Sequence, residues 1–121
     1  MTKLAMGELE AAVMDALWDE GGWMTPGEVH EALSEEHPLA YTTFMTVLVR
    51  LWEKGRVDRQ RDGRAYAYHA VETRDEYAAR RMNELLATAG DRSAALTHFL
   101  SSLKEVERVQ LRRLLASRSR R

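Results

Sequence analysis

The residues with the clearest chemical use are hydroxyl groups and a guanidinium gathered between positions 42 and 50, at Thr42, Thr43, Thr46 and Arg50. Threonine hydroxyls donate to or accept from base edges and phosphates, and threonine methyl groups, like the Met45 side chain, pack on the methyl group of thymine. Arg50 lies one helical turn further along and can reach a phosphate or a guanine. On one face of a helix, these side chains would allow that helix to approach the bases of a duplex closely.

Three further arginines, Arg59, Arg61 and Arg64, lie in a region with the period-two alternation of strands. Beside the helix they can straddle the phosphate backbone or enter a minor groove, the alternative being a solvated hairpin in a mosaic of charge. The charge distribution is uneven: residues 1–36 hold one basic and nine acidic side chains, whereas residues 50–64 hold six basic and three acidic ones. A polyanion would therefore be attracted to one side of the molecule and repelled from another.

A third helix must position the threonines. Its apolar residues recur at the helical spacing i, i+3, i+4 and i+7, at Phe44, Val47, Leu48 and Leu51. This spacing predicts a buried face with the threonines on the opposite side, and Gly55 is predicted to end the helix. Tyr41 stands at the helix start, where it can either contact DNA or close the edge of the core.

Two helices are predicted before this one and a hairpin after it. A helical stripe of Leu9, Val13 and Leu17 defines the first helix, and a capping box of Thr25 and Glu28 begins a second helix over residues 26–36. Asp62-Gly63 between alternating segments predicts a two-residue hairpin turn with both residues at positive φ. The order helix, helix, helix, hairpin predicts a winged helix-turn-helix DNA-binding domain at residues 1–71, within a mainly α (α+β) chain.

Residues 72–121 are predicted to be helical throughout. Capping boxes at Thr73 with Glu76 and at Ser102 with Glu105 begin two helices, and Asp91 caps another between them. Three short helices cannot bury their apolar faces alone, so we predict a two-fold dimer; the alternative is a monomer with these helices folded back on the winged helix. The predicted interface consists of Tyr77, Met82, Leu85, Leu86, Leu96, Phe99, Leu100, Leu103 and Leu114.

Catalysis and cofactor binding find no support in the sequence. The chain has no cysteine, and its four histidines have no metal-ligand spacing, so we expect no metal, no cofactor and no enzymatic activity. No secretory signal and no apolar run of membrane-spanning length is present, which predicts a cytoplasmic protein without membrane insertion. Trp18, Trp23 and Trp52 are interpreted as core or interface residues, and a ligand pocket between helices is the alternative.

Several segments together resemble one family of regulators. These are residues 9–18 (LEAAVMDALW), residues 40–48 (AYTTFMTVL), Arg50-Leu51, Lys54-Gly55 and the tyrosine-bearing strand that follows. In this order they resemble the penicillinase and methicillin-resistance repressors (BlaI/MecI), a family that also includes the copper-responsive CopY repressors. The resemblance spans nearly the whole chain.

The resemblance implies a homodimeric repressor on palindromic operators that contain TACA and its complement TGTA. Its base and phosphate contacts would fall on the threonine face already described, together with Met45 and Arg50. In the penicillinase branch a membrane sensor leads to proteolysis within the dimerisation region, at a bond that corresponds to His98–Phe99 in this chain. Asn usually precedes the phenylalanine there, and His98 takes its place. The copper branch senses metal through C-terminal cysteines, which this chain lacks.

Three hypotheses follow from the sequence. The leading one is a DNA-binding repressor whose targets include cell-wall or β-lactam response genes; an inducing protease or a membrane metallopeptidase sensor is the further partner that the resemblance implies, and the sequence leaves open whether release is proteolytic. The second is a winged-helix protein-interaction module, which would tolerate charge reversal at the hairpin arginines. The third is a small-molecule-sensing regulator of another winged-helix family, with the tryptophans as its pocket.

Overall fold

The computed structural model describes residues 6–118. It contains six helices and one two-stranded sheet within that range: α1 Met6–Glu20, α2 Pro26–Leu33, α3 Tyr41–Glu53, β1 Val57–Asp62, β2 Ala65–Ala70, α4 Arg74–Ala87, α5 Arg92–Ser102 and α6 Glu105–Arg118. The chain forms two compact units that meet inside α4, between residues 78 and 79. The first unit has the helix, helix, helix, hairpin order that the sequence predicts for a winged helix.

Side-chain caps define where α2 and α4 begin, as predicted. The Thr25 hydroxyl accepts from the Glu28 amide at 3.2 Å, and the Glu28 carboxylate accepts from the Thr25 amide at 2.9 Å. Thr73 and Glu76 repeat this reciprocal pair, with distances of 3.0 and 2.8 Å. Each box satisfies amide groups that have no partner within the helix. The Pro26 ring at the start of α2 suits the same position because it has no amide hydrogen to satisfy.

The core of the first unit lies between the three helices and the inner face of the hairpin. Leu9, Val13 and Leu17 of α1 meet Val29 of α2 and the buried residues of α3 and the sheet. The α3 contribution consists of the four residues that the helical spacing predicts, all of them fully buried: Phe44, Val47, Leu48 and Leu51. Burial of one such side chain contributes about 1.5–3 kcal/mol, so this face holds α3 firmly in place. The opposite face of α3 is left for solvent or a partner.

The hairpin turn differs from the prediction. Asp62 pairs with Ala65 across the sheet, so the two turn residues are Gly63 and Arg64 rather than Asp62 and Gly63. Gly63 has φ +66°, and no residue other than glycine has positive φ between residues 6 and 118. Glycine at the first position alone is the pattern of a type II′ turn, whereas the predicted type I′ turn needs positive φ at both positions. The turn therefore presents Arg64 at the tip of the hairpin.

The last two helices contain no buried residue, and α4 contains none either. The predicted Ser102–Glu105 capping box is wrong. The Ser102 hydroxyl donates back to the Phe99 carbonyl at 2.6 Å, and α6 is capped instead by the Glu107 carboxylate, which accepts from the Lys104 amide at 2.9 Å. Asp91 caps α5 as predicted, through its bond from the Ala94 amide. Within residues 6–118, no helix combines the length and apolar character that a membrane span requires.

The first turn of α4 belongs to the first unit. Tyr77, which the sequence assigns to the dimer interface, packs against Trp18 with ring centroids 5.4 Å apart, and the Arg56 guanidinium lies 4.5 Å from the Tyr77 ring centre. Arg74 also donates to Asp19 of α1 at 3.1 Å. These contacts hold the first turn of α4 in the first unit, which extends through residue 78. The predicted 71/72 boundary falls in the connection before α4.

Candidate nucleic-acid interface

A row of short side chains runs along the exposed face of α3. Thr42 and Thr46 are exposed, and Thr43 is half-buried beside them. The Thr46 hydroxyl donates to the Thr42 carbonyl at 2.9 Å, so its proton is used within the helix. What Thr46 presents outward is therefore an acceptor oxygen and a methyl group. An acceptor beside a methyl group can receive the amino group of adenine or cytosine and pack on the methyl group of thymine.

Larger side chains flank this row on both sides. With about 3.6 residues per turn, Met45 and Trp52 lie along one edge of the row and Arg50 lies along the other. All three are exposed. Because phosphates line both walls of a major groove, a helix with a cation at one edge needs another cation near the opposite edge to contact both walls.

The turn before α3 is fixed by a histidine. His30 Nε2 lies 3.1 Å from the Leu39 carbonyl oxygen, and its ring packs near both Tyr41 and Phe44, with centroids 6.2 and 5.6 Å away. Tyr41 is thus held at the start of α3 by an edge contact on one side while its other side stays exposed. Both roles that the sequence suggests for Tyr41 are compatible with this position.

The hairpin arginines occupy three different environments. The Arg59 guanidinium carbon lies 3.6 Å from the ring centre of Trp52 and 4.1 Å from that of Tyr66, so Arg59 links the hairpin to the end of α3. Arg61 is exposed, 5.5 Å from the Tyr66 ring centre, and Arg64 is exposed in the turn. The sequence treats the three as equivalent, but the aromatic contacts distinguish Arg59 from the other two.

Part of the positive charge of residues 50–64 is used inside the first unit. Lys54 forms an ion pair with the buried Glu10, and Arg56 lies over the Tyr77 ring. The exposed cations that remain are Arg50, Arg61 and Arg64, and Arg59 is half-buried against Trp52. Sequence reasoning did not find the Lys54–Glu10 pair, because its members are 44 positions apart and no periodicity links them.

The three tryptophans do not form one pocket. Trp18 donates from Nε1 to the Glu72 carbonyl at 2.8 Å, Trp23 packs on His69 with centroids 5.0 Å apart, and Trp52 packs on Arg59. Each tryptophan therefore has a different structural partner, so the three rings do not share one site. Among residues 6–118, no group of three His, Asp or Glu side chains lies close enough together to hold a metal ion.

The predicted dimer residues of the second unit are exposed or half-buried. Met82, Leu85, Leu86, Ala95, Leu96 and Phe99 line an open groove of about 560 Å³ between α4 and α5. His98 and Phe99, the predicted proteolytic site, lie well inside α5.

Comparison with known proteins agrees with this geometry. The family model of the penicillinase repressor matches residues 6–117. The chain belongs to the penicillinase repressor family. The transcriptional regulator BlaI of Mycobacterium tuberculosis, from two strains (CDC 1551 / Oshkosh and ATCC 25618 / H37Rv), is 49% identical to it, over 96% of this chain and 87% of the relative.

A solved structure supports the same assignment. The solution structure of the DNA-binding domain of the repressor BlaI matches with a TM-score of 0.52 and 26% identity, over 64% of this chain and 94% of that domain. The first unit is accordingly a winged-helix DNA-binding domain, and the chain is a transcriptional repressor rather than an enzyme. The family predicted from residues 9–18 and 40–48 is therefore confirmed.

Proposed function

We propose that this family member is a homodimeric repressor that reads a palindromic operator of the TACA/TGTA type with α3 of each copy. The observation that carries the proposal is the exposed row of Thr42 and Thr46, bordered by Arg50, on a helix whose other face is fully buried. A fixed helix with short polar side chains and a neighbouring cation suits the major groove. Arg61 and Arg64 on the hairpin then supply phosphate contacts beside it.

A second copy of the chain is the proposed cover for the apolar residues of the second unit. Leu85, Leu96 and Phe99 are exposed around the groove between α4 and α5, which monomeric proteins rarely leave open to water. A two-fold dimer would bury these residues in both copies. It would also present two copies of α3 that are related by the same symmetry. A symmetric dimer in turn requires a palindromic site, with half-sites spaced by whole helical turns.

Release of the repressor is proposed to follow cleavage between His98 and Phe99. The family resemblance suggests an inducing protease, controlled by a membrane metallopeptidase sensor, as the partner. The repressor itself would act in the cytoplasm on cell-wall or β-lactam response genes. Because this bond lies inside α5, part of the helix must open before a protease can accept the chain in extended form. Cleavage there would separate Phe99 from the other residues that line the apolar groove, and we expect it to weaken the dimer.

Fluorescence anisotropy tests the operator proposal. A labelled TACA/TGTA palindrome and a scrambled duplex of equal length are titrated with the full chain at two salt concentrations. We expect the palindrome to bind at least about 1,000-fold more tightly than the scrambled duplex, the lower end for specific recognition. Arg50→Ala should weaken binding strongly, Thr46→Ala should mainly relax base preference, and Arg92→Ala on α5 serves as the matched control. Equal affinity for the two duplexes would overturn the proposal.

A further inference from the structure

The contact between Arg59 and two aromatic rings suggests a role beyond holding the hairpin in place. Trp52 belongs to α3, Arg59 to β1 and Tyr66 to β2, so one guanidinium joins the end of α3 to both strands. Aromatic rings contact a guanidinium through its flat faces, whereas its five N–H donors lie in the plane between those faces. Stacking therefore leaves the donors available for other partners.

The donors of Arg59 have no partner within the residues that the structure describes: neither a hydrogen bond nor an ion pair joins them to any other group in 6–118. A flexible arginine loses considerable conformational freedom when it binds a phosphate. Arg59 has already lost much of that freedom because two rings hold it. Its contact with an anion is therefore preorganised.

The position of Arg59 completes the arrangement around α3. Trp52 lies on the same edge of the exposed row as Met45, and Arg50 lies on the opposite edge. Arg59, stacked on Trp52, places a cation at the edge that Arg50 does not reach. The two arginines thus border the threonine row from both sides, as contact with both walls of a groove requires.

We propose that Trp52 and Tyr66 are positioning residues that hold Arg59 as a fixed contact to a backbone phosphate next to the α3 binding site. This inference rests on the proposed function, because it adds one phosphate contact to the surface that is proposed to bind the duplex. A phosphate contact carries no sequence information, so Arg59 contributes to affinity for every duplex and Thr46 to the choice between duplexes.

A double-mutant cycle on DNA affinity tests the role of the stack. The cycle combines Trp52→Ala with Arg59→Ala, measured by anisotropy on the palindrome and on the scrambled duplex. We expect Arg59→Ala to lower both affinities by a similar factor and to reduce the slope of log K against log salt by about 0.9, as for one lost phosphate contact. Trp52→Ala should lower affinity about 3- to 10-fold in the wild-type background, from the energy of a cation–π contact, and have little effect once Arg59 is absent.

Further variants separate positioning from general stability. Trp52→Phe keeps a ring for Arg59 and should restore most of the affinity, while Arg59→Lys keeps the charge but loses the planar stack and should behave like Trp52→Ala. Trp23→Ala is the matched control, because Trp23 is 41% exposed and Trp52 40%. The NMR signal of the Arg59 Nε–H group should show a ring-current shift in the wild type and lose it in Trp52→Ala, which reports on the stack without DNA.

The outcomes distinguish the two proposals. If the wild type does not prefer the palindrome, the proposed function fails. If it does, but Trp52→Ala and Arg59→Ala have additive effects or Arg59→Ala leaves the salt slope unchanged, the positioning role alone is overturned.

Discussion

Lys54, just after α3, forms an ion pair with Glu10 in α1: its Nζ lies 2.8 Å from Oε2 and 2.9 Å from Oε1. Glu10 is only 8% exposed, and it is the one buried charged residue between positions 6 and 118. The pair joins the residue that follows α3 to the first helix of the fold. It also means that Lys54, which looks in the sequence like part of a basic patch, has a structural role.

Removal of the lysine charge should therefore destabilise the fold. In Lys54→Met the Glu10 carboxylate stays buried without its partner, and since Lys54 itself is half-exposed we expect a loss of about 1–2 kcal/mol in the free energy of unfolding. Urea unfolding measures this loss, with Lys104→Met as a surface control. Equal stability of the two variants would show that the pair contributes nothing.

The capping box of α2 gives a second stability prediction. Thr25→Ala removes the acceptor for the Glu28 amide at the start of the helix and should cost about 1 kcal/mol. Thr97→Ala is the control, because the Thr97 hydroxyl only bonds back to the Ser93 carbonyl inside α5 and alanine is the better helix former. A Thr97→Ala cost as large as that of Thr25→Ala, measured by thermal unfolding, would argue against a specific cap.

The proposed dimer predicts a charge-sensitive site in the second unit. Leu96 is 45% exposed at the groove, and Leu96→Glu would place two carboxylates in the symmetric interface, so we expect sedimentation velocity to show a monomer with weakened operator binding. Val106, 70% exposed and outside the predicted interface, provides the control Val106→Glu, which should remain a dimer. The proposal fails if the wild type is itself monomeric, or if the two variants sediment alike.

The pH dependence of α4 follows from one carboxylate. Arg81 and Arg80 hydrogen-bond to Glu84 at 2.7 and 2.8 Å and hold its pKa below the ordinary value of 4.5. Because the folded pKa is depressed, the stabilisation is fully present above pH 4.5 and is lost as the pH falls through the folded value. The effect is small because the pair is exposed to solvent.

An NMR titration of the Glu84 side-chain carboxyl carbon checks that shift. We expect a midpoint below 4.5 that rises towards 4.5 in high salt as the arginines are screened. Glu84→Gln should lack this part of the pH dependence of helix stability. A midpoint at or above 4.5 would contradict the arrangement.

Local patterns predicted much of the fold because the physics behind them is local. The spacing of Phe44, Val47, Leu48 and Leu51 identified the buried face of α3, and the reciprocal caps at Thr25 and Thr73 formed as expected. The hairpin turn was predicted one residue too early. Asp62 is compatible with a turn position or with the end of a strand, and in the structure it pairs with Ala65 as the last residue of β1.

The site was harder to predict because its details depend on contacts between distant segments. The sequence marks Arg59, Arg61 and Arg64 as alike, and only the contact with Trp52 and the shorter distance to Tyr66 separate Arg59 from the others. A similar limit applies at Ser102 and Glu105, which have the spacing of a capping box. Because α5 continues through Ser102, Lys104 is the residue that precedes α6, and its amide donates to Glu107. Helix length is decided by packing and backbone bonds as well as by caps.

The most direct test of the account is an NMR map of the full chain with and without a TACA/TGTA palindromic duplex. We predict that the largest amide shifts fall on the start and exposed face of α3, around Thr42, Thr46 and Arg50, and on the hairpin at Arg61 and Arg64. The acidic surface of α1 and α2 should change little. Shifts concentrated on α1 and α2, with α3 unaffected by the duplex, would contradict the claim that α3 reads DNA.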